Sequence, residues 1–449
     1  MTGARGRAVV IAALAGLLFG FDTAVIAGTT SDLRRVFALD PAGLGFTVSV
    51  ALWGTLAGAL AAGRLGERLG GRDTLKLAGA LYVVSSLGCA LAPDWWLFVA
   101  ARLVGGLGIG VSSVVAPVYI SEVASARRRG AMVAGFQLAI VAGILLAYVS
   151  NALIGLAHTS PDGWRWKLGV AAGPAAVFTG LLALVPQSPR WLLARGRQEE
   201  ARAALAALAP ADASAELDAV TRALASDPAE TGARLSWRRH RKPILLAVAV
   251  AAFNQLAGIN AILYYLNDIF AAAGYGRVSA DGQAVTIGVV NFAFTAMAMT
   301  VIDRWGRRTL LLIGAAGMAA CLALAAAALS GMISAALLIW ALVAYIGFFA
   351  FSQGAVIWVY ISEVFPNRVR AQGQSIGAAT HWFLNAVISA AFPAVAAWSR
   401  GGPFWVFSAL MVVQFAVVLV AFPETKGVEL EALQARLAGA RRAAPPPGA

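Results

Sequence analysis

Long apolar runs constrain this chain more than any other feature. A membrane-spanning helix needs roughly 20 apolar residues. Uncharged runs of this kind occupy 41–63, 77–93, 103–121, 130–161, 168–189, 243–267, 282–302, 309–362, 371–399 and 401–423. The 309–362 run is long enough for two spans, the 103–121 run extends back to about Trp95, and 8–28 adds another span. The sequence therefore predicts an all-α membrane protein with twelve transmembrane helices in two sets of six.

Composition and the polar segments predict the domain organisation. Charged residues make up only 13% of the chain, whereas a soluble domain carries about 25%. The longest polar interruption lies at 190–242, where the patterns of 197–208 and 212–225 indicate two short surface helices. The predicted parts are listed here: an N-terminal six-helix bundle at 1–189, a cytoplasmic linker at 190–242, a C-terminal six-helix bundle at 243–430 and a cytoplasmic tail at 431–449.

An internal repeat supports two related halves. The five residues Tyr119–Val123 recur unchanged as Tyr360–Val364, and an Arg follows the Glu of each copy by seven residues, at Arg129 and Arg370. The segment 67–72 likewise resembles 303–308. Duplicated halves around a central site are how many secondary transporters are built.

Basic residues predict the orientation. The net charge is +13, but only six Lys and Arg residues fall in predicted loops on the side away from the linker: Arg34, Arg35, Arg165, Lys167, Arg277 and Arg400. Because basic loops stay in the cytoplasm, we expect both termini to be cytoplasmic. The basic residues are scattered over short cytoplasmic pieces, which argues against binding to nucleic acid. The Ala-, Gly- and Arg-rich composition favours a bacterial inner membrane.

Several motifs, in order along the chain, resemble the sugar porters of the major facilitator superfamily. They are Gly63–Arg72, Pro117-x-Tyr119-x-x-Glu122 with Arg129-Gly130, Pro186–Leu192, Asn254–Asn260 and Pro423–Gly427. The resemblance runs from about residue 8 to 430. It implies two pseudo-symmetric bundles with short intracellular helices, and the import of a monosaccharide by alternating access. Asn254, Ala355 and Gln187 depart from the family's Gln, Pro and Glu, and the first two leave the identity of the sugar open.

Asp22 and Arg102 are the only charges that the sequence places well inside a predicted span. A charge at the bilayer centre costs at least ~2.5–3.5 kcal/mol, so we expect the two side chains to be neighbours. They could form a structural ion pair only. A buried carboxyl beside a movable cation can also bind and release a proton. The resemblance implies this second role, because proton-coupled sugar porters carry their proton-binding acid at this position, and it favours symport over uniport.

Buried amides and aromatic rings predict a carbohydrate site, because Asn and Gln match the donor and acceptor roles of hydroxyls and indole covers an apolar sugar face. By resemblance, Gln137, Gln255, Asn260 and Trp358 occupy sugar-contacting positions. Each amide could instead join two helices by a hydrogen bond. Gly258 would bend the helix between Gln255 and Asn260. The further candidates are Asn254, Asn291, His381, Trp382, Phe21 and Tyr264.

Charged residues at the predicted cytoplasmic helix ends form a third set. They could be solvated loop charges, but their repetition at matching offsets predicts a latch between the two halves that breaks as the cavity opens inward. The set is Glu67, Arg68, Arg72, Glu122, Arg129, Arg190, Asp303, Arg304, Arg308, Glu363, Arg370 and Glu424.

Other classes of protein find little support. Gly105–Gly110 superficially resembles a dinucleotide loop, but it lies in a span and predicts a close-packing helix face. We expect no enzymatic activity, metal or cofactor, and free thiols at Cys89 and Cys321. The predicted partners are a monosaccharide, protons and the lipid bilayer, with a monomeric chain. The alternatives are a facilitative sugar or polyol carrier, a proton/drug antiporter with a more apolar cavity, and a sugar-sensing receptor, which typically has a longer soluble tail.

Overall fold

The computed structural model describes residues 3–124, 129–158, 160–208, 213–226, 235–366 and 369–426. All regular elements in these ranges are helical. The predicted tail and the side chains of Arg129 and Asp303 lie outside what the structure describes. Cys89 is buried, Cys321 is partly exposed and both are free thiols.

In the part of the chain that the structure describes, eleven α-helices precede residue 230. They are α1 (Ala4–Val25), α2 (Thr30–Val36), α3 (Pro41–Leu69), α4 (Gly71–Leu91), α5 (Trp95–Val123), α6 (Arg129–Ala157), α7 (Gly163–Gly169), α8 (Ala172–Leu181), α9 (Pro189–Ala194), α10 (Gln198–Leu208) and α11 (Ala213–Ser226).

Nine α-helices follow. They are α12 (Trp237–Leu256), α13 (Ile259–Tyr264), α14 (Leu266–Ala272), α15 (Arg277–Trp305), α16 (Arg307–Leu329), α17 (Leu337–Phe351), α18 (Gln353–Val364), α19 (Arg370–Trp398) and α20 (Gly402–Ala421).

Within the described ranges, twelve segments are long and apolar enough to cross a membrane, as the sequence predicts. Nine are single helices, and three combine a helix with the next: α7 with α8, α12 with α13, and α17 with α18. The predicted linker helices are present as α10 and α11, and Ser188 caps the additional α9 by accepting a hydrogen bond from the Trp191 N–H.

Two broken spans bring polar backbone into the apolar region. The α12–α13 span breaks at Gly258, which has a φ of +81°. A β-carbon there would lie 2.3 Å from the ring of Phe407, so both the conformation and the space require glycine. The α17–α18 span breaks at Ser352, where φ is −114° and ψ is −86°. The predicted bend between Gln255 and Asn260 is therefore confirmed.

By contacts the chain divides into two compact units. The first unit contains residues 1–229, 260–292 and 385–400, and the second contains 230–259, 293–384 and 401–449. The sequence predicts a different division, with two bundles separated by the linker at 190–242. This domain boundary stays a prediction.

Glycines hold the helices of the first unit close together. A β-carbon at Gly106 of α5 would lie 1.9 Å from the Ala51 carbonyl of α3, and one at Gly110 would lie 2.1 Å from the Thr55 carbonyl. Gly20 of α1 meets the Ile140 carbonyl of α6 in the same way. The predicted close-packing face of α5 is confirmed. Aliphatic and aromatic side chains of α1, α4, α5 and α8 complete this core.

The second unit has its own core. Apolar side chains of α12, α16 and α18 pack together with those of the C-terminal end of α20, and Tyr360, Ile361 and Phe365 are fully buried among them. Because lipid is as apolar as these side chains, their packing stabilises the unit through van der Waals contact between helices.

Candidate functional site

Asp22 of α1 and Arg102 of α5 form a buried ion pair in the first unit. The Arg102 Nη1 donates to both carboxylate oxygens of Asp22, at 3.0 and 3.1 Å. The two residues are only 8% and 3% exposed. A β-carbon at Gly105 would lie 3.9 Å from Asp22 Oδ1 and 2.4 Å from Ser85 Oγ, so the glycine-rich face of α5 also leaves room beside this pair. The expectation that the two charges are neighbours is confirmed.

Two amides of the first unit have unused hydrogen-bonding capacity. Gln137 of α6 is partly exposed and Asn291 of α15 is buried, and neither amide bonds to a residue that the structure describes. These two amides can take up hydroxyl partners. A structural helix-to-helix bond, the alternative reading of Asn291, is therefore not what the described part of the chain shows. Asn260, at the start of α13, is partly exposed and has a partner of its own.

Two predicted aromatic residues of the first unit are packed rather than open. Phe21 and Tyr264 are buried. The Tyr264 hydroxyl accepts a hydrogen bond from Asn385 Nδ2 at 3.5 Å, and Asn385 Oδ1 in turn accepts one from the Ser389 hydroxyl. Asn385 is a polar neighbour that the sequence reasoning missed, although it lies on the same helix as the predicted His381 and one turn further on.

In the second unit, five predicted residues form one cluster. Gln255 Nε2 donates to Asn254 Oδ1 at 3.0 Å and lies 3.1 and 3.2 Å from the two ring nitrogens of His381. The His381 ring is flanked by Trp358 at 5.2 Å and Trp382 at 5.0 Å between ring centroids. Trp382 is buried, whereas Trp358 is 39% exposed. This is a polar centre with indole faces, the combination that carbohydrate binding requires.

A second amide pair supports this cluster, and sequence reasoning missed it. The Gln353 side chain donates to Gln414 Oε1 at 2.7 Å, and both residues are buried. The backbone carbonyl of Gln353 accepts from Asn254 Nδ2 at 3.4 Å. Gln353 lies directly after the helix break at Ser352, and Gln414 lies on α20, a helix with no predicted site residue. Two buried glutamines in apolar helices are the signal that could have revealed them.

Glu424 caps a helix in the second unit. Its carboxylate accepts hydrogen bonds from the backbone N–H groups of Arg307 and Arg308, which open α16, at 2.9 and 3.1 Å. It also accepts from the N–H groups of Thr425 and Lys426. Burial by itself would raise the pKa of Glu424, but these four donors outweigh burial and lower the pKa below its ordinary value.

Glu363 accepts hydrogen bonds from two residues that are not among the predicted latch charges. Its two carboxylate oxygens accept from Arg307 Nη2 at 2.9 Å and from Thr425 Oγ1 at 2.6 Å. The set contains Arg308 instead, whose guanidinium donates to the backbone carbonyl of Leu419 at 2.6 Å. Adjacent arginines point in different directions on a helix, and the sequence repeat does not distinguish between them.

The first unit repeats this arrangement with a neutral side chain. Gln187 Oε1 accepts from the Arg72 N–H at 3.0 Å, and its Nε2 donates to the Leu69 carbonyl at 3.1 Å. Glu122 accepts a hydrogen bond from Ser188, as Glu363 does from Thr425. The Arg72 guanidinium pairs with Asp73 at 2.9 and 3.1 Å. The Gln that replaces the family's Glu keeps its capping bond.

Most other charges of the predicted latch lie at the surface, and the side chains of Arg129 and Asp303 are outside the described part of the structure. Glu67, Arg68, Arg190 and Arg304 are exposed and Arg370 is partly exposed. The Glu67 backbone carbonyl accepts from Trp191 Nε1 and Arg195, which ties α9 to the end of α3. The latch itself stays a prediction.

Two further buried charges lie at span ends. The sequence places Lys167 in an outer loop and gives Asp22 and Arg102 as the only charges well inside spans. The structure places Lys167 in the span Gly163–Leu184 and Asp281 in the span Ser279–Ile302. The two are 1% and 6% exposed, and 3.9 Å separates Nζ from Oδ2. The apolar runs begin just after each residue, so hydropathy alone sets both spans too short.

Comparison with known proteins agrees with this arrangement. The family model described as "Sugar (and other) transporter" matches residues 8–437. The D-xylose-proton symporter of Escherichia coli (strain K12) is 34% identical, with 95% of this chain and 94% of the relative covered. The glucose facilitated diffusion protein of Zymomonas mobilis is 35% identical, with 95% and 96% covered.

Solved structures of the E. coli xylose transporter XylE are similar over nearly the whole chain. The partially occluded inward-open conformation has a TM-score of 0.84 and 33% identity, and covers 95% of this chain and 99% of that chain. The structure of this major facilitator superfamily protein bound to 6-bromo-6-deoxy-D-glucose has a TM-score of 0.77 and 33% identity, with 97% and 99% covered. The matched family, the twelve spans and the paired motifs agree, and the chain belongs to the sugar transporter family of the major facilitator superfamily.

Proposed function

We propose that this protein is a proton-coupled symporter that imports a monosaccharide by alternating access. The observation that carries the proposal is the buried Asp22–Arg102 pair, with Arg102 Nη1 at 3.0 and 3.1 Å from the carboxylate. The Asp22 carboxylate is buried, and among described residues Arg102 is the cation that bonds to it. The stability of its ionised form therefore depends on the position of Arg102. Relatives named as proton symporters of xylose, arabinose and galactose support the proposal.

The coupling step follows from the chemistry of the pair. A proton binds to the Asp22 carboxylate and neutralises it, and the Coulomb attraction that holds Arg102 is lost. Arg102 must then leave or find other acceptors, because a buried unpaired cation costs several kcal/mol. Asp22 lies on α1 and Arg102 lies on α5. Loss of their ion pair therefore weakens the attraction between these two helices. When the proton is released on the other side of the membrane, the ion pair forms again.

We propose that the amide and indole cluster of the second unit, Asn254, Gln255, His381 and Trp358, binds the sugar. Gln137, Asn260 and Asn291 of the first unit stay predicted sugar-contacting residues. Gln255 is held by Asn254 and His381 before any ligand is present, so little ordering is needed when a hydroxyl binds. Phe21, Tyr264 and Trp382 are buried, and we assign them to the walls that support the site.

The membrane arrangement completes the proposal. The chain is a multi-pass protein of the bacterial inner-membrane type, and the distribution of Lys and Arg supports cytoplasmic termini. We propose a monomer in lipid. Glu122 with Arg190, Glu363 with Arg307, and the remaining charges of the predicted set would hold the cytoplasmic helix ends together until the inward-facing state forms.

The test uses the purified full chain in proteoliposomes. Asp22→Asn removes the titratable group, and we expect it to abolish uphill accumulation driven by a pH gradient while sugar counterflow continues. Asp40→Asn is a suitable control, because Asp40 is an exposed acid that only caps α3. Concentrative uptake that persists in Asp22→Asn contradicts the proton role.

A facilitative carrier is the second candidate, since one relative is named as a glucose facilitated diffusion protein. A symporter alkalinises a weakly buffered medium when sugar is added, and a facilitator does not. Counterflow with pentoses, hexoses and polyols would then identify the sugar. Saturable, competed counterflow is the result that separates both carriers from a drug antiporter.

A further inference from the structure

A buried ion pair at the outer ends of the spans carries an inference that rests on the proposed alternating access. Lys167 belongs to α7, at the end where α1 finishes and α15 begins. Its Nζ donates to the Gly28 carbonyl at 2.9 Å and lies 3.9 Å from Asp281 Oδ2. Asn267 of α14 donates to the other oxygen of Asp281 at 2.5 Å. Each charge of the pair thus has a defined partner on more than one helix.

The pair closes on the helix that carries the proton site. Gly28 follows Asp22 by six residues, at the end of the same span. The carbonyls at the end of α1 have no partner within the helix. Side chains supply it: Asn151 of α6 donates to the Val25 carbonyl at 3.0 Å, and Lys167 donates to the Gly28 carbonyl. Lys167 therefore attaches the end of α1 to Asp281.

The local packing leaves space for the pair. A β-carbon at Gly155 of α6 would lie 3.0 Å from Asp281 Oδ2 and 3.7 Å from Lys167 Nζ. Further along the same face of α15, a β-carbon at Gly288 would lie 3.1 Å from Tyr148 and Leu145 side chains. The Tyr148 hydroxyl donates to the Leu263 carbonyl at 3.0 Å. At this end, α6 and α7 from the first half of the sequence therefore pack against α13 and α15 from its second half, all within the first unit.

We propose that Lys167 and Asp281 form a tether that holds the outer ends of the spans closed, and that Lys167 is a positioning residue for α1. Opening toward the outside must separate α7 from α15 and so break the pair. In the closed form each charge is buried but paired. Loss of one partner removes the opposite charge from the other, which stays buried at a cost, and opening of the outer end to water reduces this cost. Loss of both partners removes that penalty.

The tether predicts a specific order of accessibility. In a Cys89→Ala/Cys321→Ala background, Ala284→Cys places a thiol on the face of α15 shared with Asp281 and Gly288, at a position that is 2% exposed. Its reaction with a membrane-impermeant maleimide reports opening. We expect Lys167→Met or Asp281→Leu to accelerate labelling about tenfold or more. The double variant Lys167→Met/Asp281→Leu lacks the tether but has no buried charge left over, so it should label faster than the background and more slowly than either single variant.

Two further variants complete the test. Arg165→Met removes a neighbouring cation of α7 that does not contact the Lys167–Asp281 pair among described residues. Its guanidinium bonds to the Ala90 and Ala92 carbonyls, pairs with Asp162 and lies 4.4 Å from the centroid of the Trp164 ring, so the variant should leave labelling unchanged. Gly155→Ala leaves both charges in place but crowds Asp281, and it should accelerate labelling. It also replaces Lys167→Met if that variant does not fold. Single variants that label at the background rate, or a double variant as fast as the singles, overturn the tether.

Failure of the tether and failure of the proposed function remain distinguishable. Sugar counterflow is measured on the same preparations. Normal counterflow with no change in labelling removes the tether alone. The predicted order of labelling without sugar transport removes the proposed substrate and keeps the tether.

Discussion

Removing Asp22 and Arg102 singly and together separates what the pair contributes to stability from what it does in transport. Asp22→Asn leaves a guanidinium that is 3% exposed without its counter-charge. Breaking a buried pair in this way costs about 3–5 kcal/mol. The asparagine oxygen can still accept one hydrogen bond from Arg102 Nη1, so we expect the loss to fall near the lower end, about 3 kcal/mol.

The other two variants should cost less. Arg102→Met leaves an acid that can take up a proton and become neutral, so the loss is that of an unsatisfied buried polar group, about 1–3 kcal/mol. The double variant Asp22→Asn/Arg102→Met has neither charge, but its buried asparagine amide has lost its partner, so we expect a loss of about 1–3 kcal/mol. The loss should then be smaller than the sum of the two single losses, and the difference gives the coupling between the two positions.

Thermal unfolding of the detergent-purified variants at pH 7 measures this order. The double variant should melt close to Arg102→Met and not below Asp22→Asn, and should lack proton-driven accumulation as Asp22→Asn does. Additive losses in the double variant would show that the two side chains do not interact energetically. The reasoning from the 3.0 Å contact would then be refuted, whatever the transport assays give.

Three further predictions test other parts of the fold. Gln255→Ala should weaken sugar binding about 2- to 12-fold, because one neutral hydrogen bond contributes about 0.5–1.5 kcal/mol; tryptophan fluorescence titration measures it, and unchanged affinity removes Gln255 from the site. Glu424→Ala should lower stability by about 0.5–2 kcal/mol through loss of the α16 cap. The pKa of Glu424 is lowered in the folded protein, so its contribution to stability is complete above its ordinary pKa of 4.5. The contribution is lost as the pH falls through the folded pKa. The melting temperature of the variant should therefore approach that of the unsubstituted protein in acid. Gly106→Val should prevent folded protein from accumulating in the membrane, because its β-carbon would lie 1.9 Å from the Ala51 carbonyl, whereas Gly63→Ala, with nothing within 4 Å, should express normally.

Much of the fold follows from one-dimensional signals in the sequence. Hydropathy finds all twelve spans because each needs a long apolar run, and the glycine series of α5 marks its contact with α3. The cost of burying charge in lipid makes Asp22 and Arg102 neighbours on general grounds. Gly258 predicts the break in its span, because a residue at positive φ interrupts a helix.

The sequence did not predict which polar residues far apart in the chain contact each other. Lys167 and Asp281 lie at span ends, where hydropathy cannot separate a loop charge from a buried one, and nothing in their spacing relates them. Gln353 and Gln414 meet only because the helix breaks at Ser352. Arg307 rather than Arg308 reaches Glu363 because of rotation along α16, which a motif does not specify.

The repeated motif has a structural role that comes before any gating role. In each unit a glycine with positive φ, Gly70 or Gly306, precedes a helix whose first N–H groups are bound by the side chain of Gln187 or Glu424. The residue before each cap is proline, and its carbonyl accepts from the hydroxyl of the repeated tyrosine, Tyr119 at 2.6 Å or Tyr360 at 3.3 Å.

The repeat is thus a capped helix junction present twice, and its charges are already engaged in hydrogen bonds. Gln187 shows that the junction needs an acceptor oxygen and not a full negative charge. A latch between the halves would have to draw on charges that the junction leaves available, which points to Arg68 and Arg370 more than to Glu424. Neutralising Glu424 with Gln should then preserve the cap and the transport cycle alike, whereas a latch that depends on the Glu424 charge would give a faster inward opening in that variant.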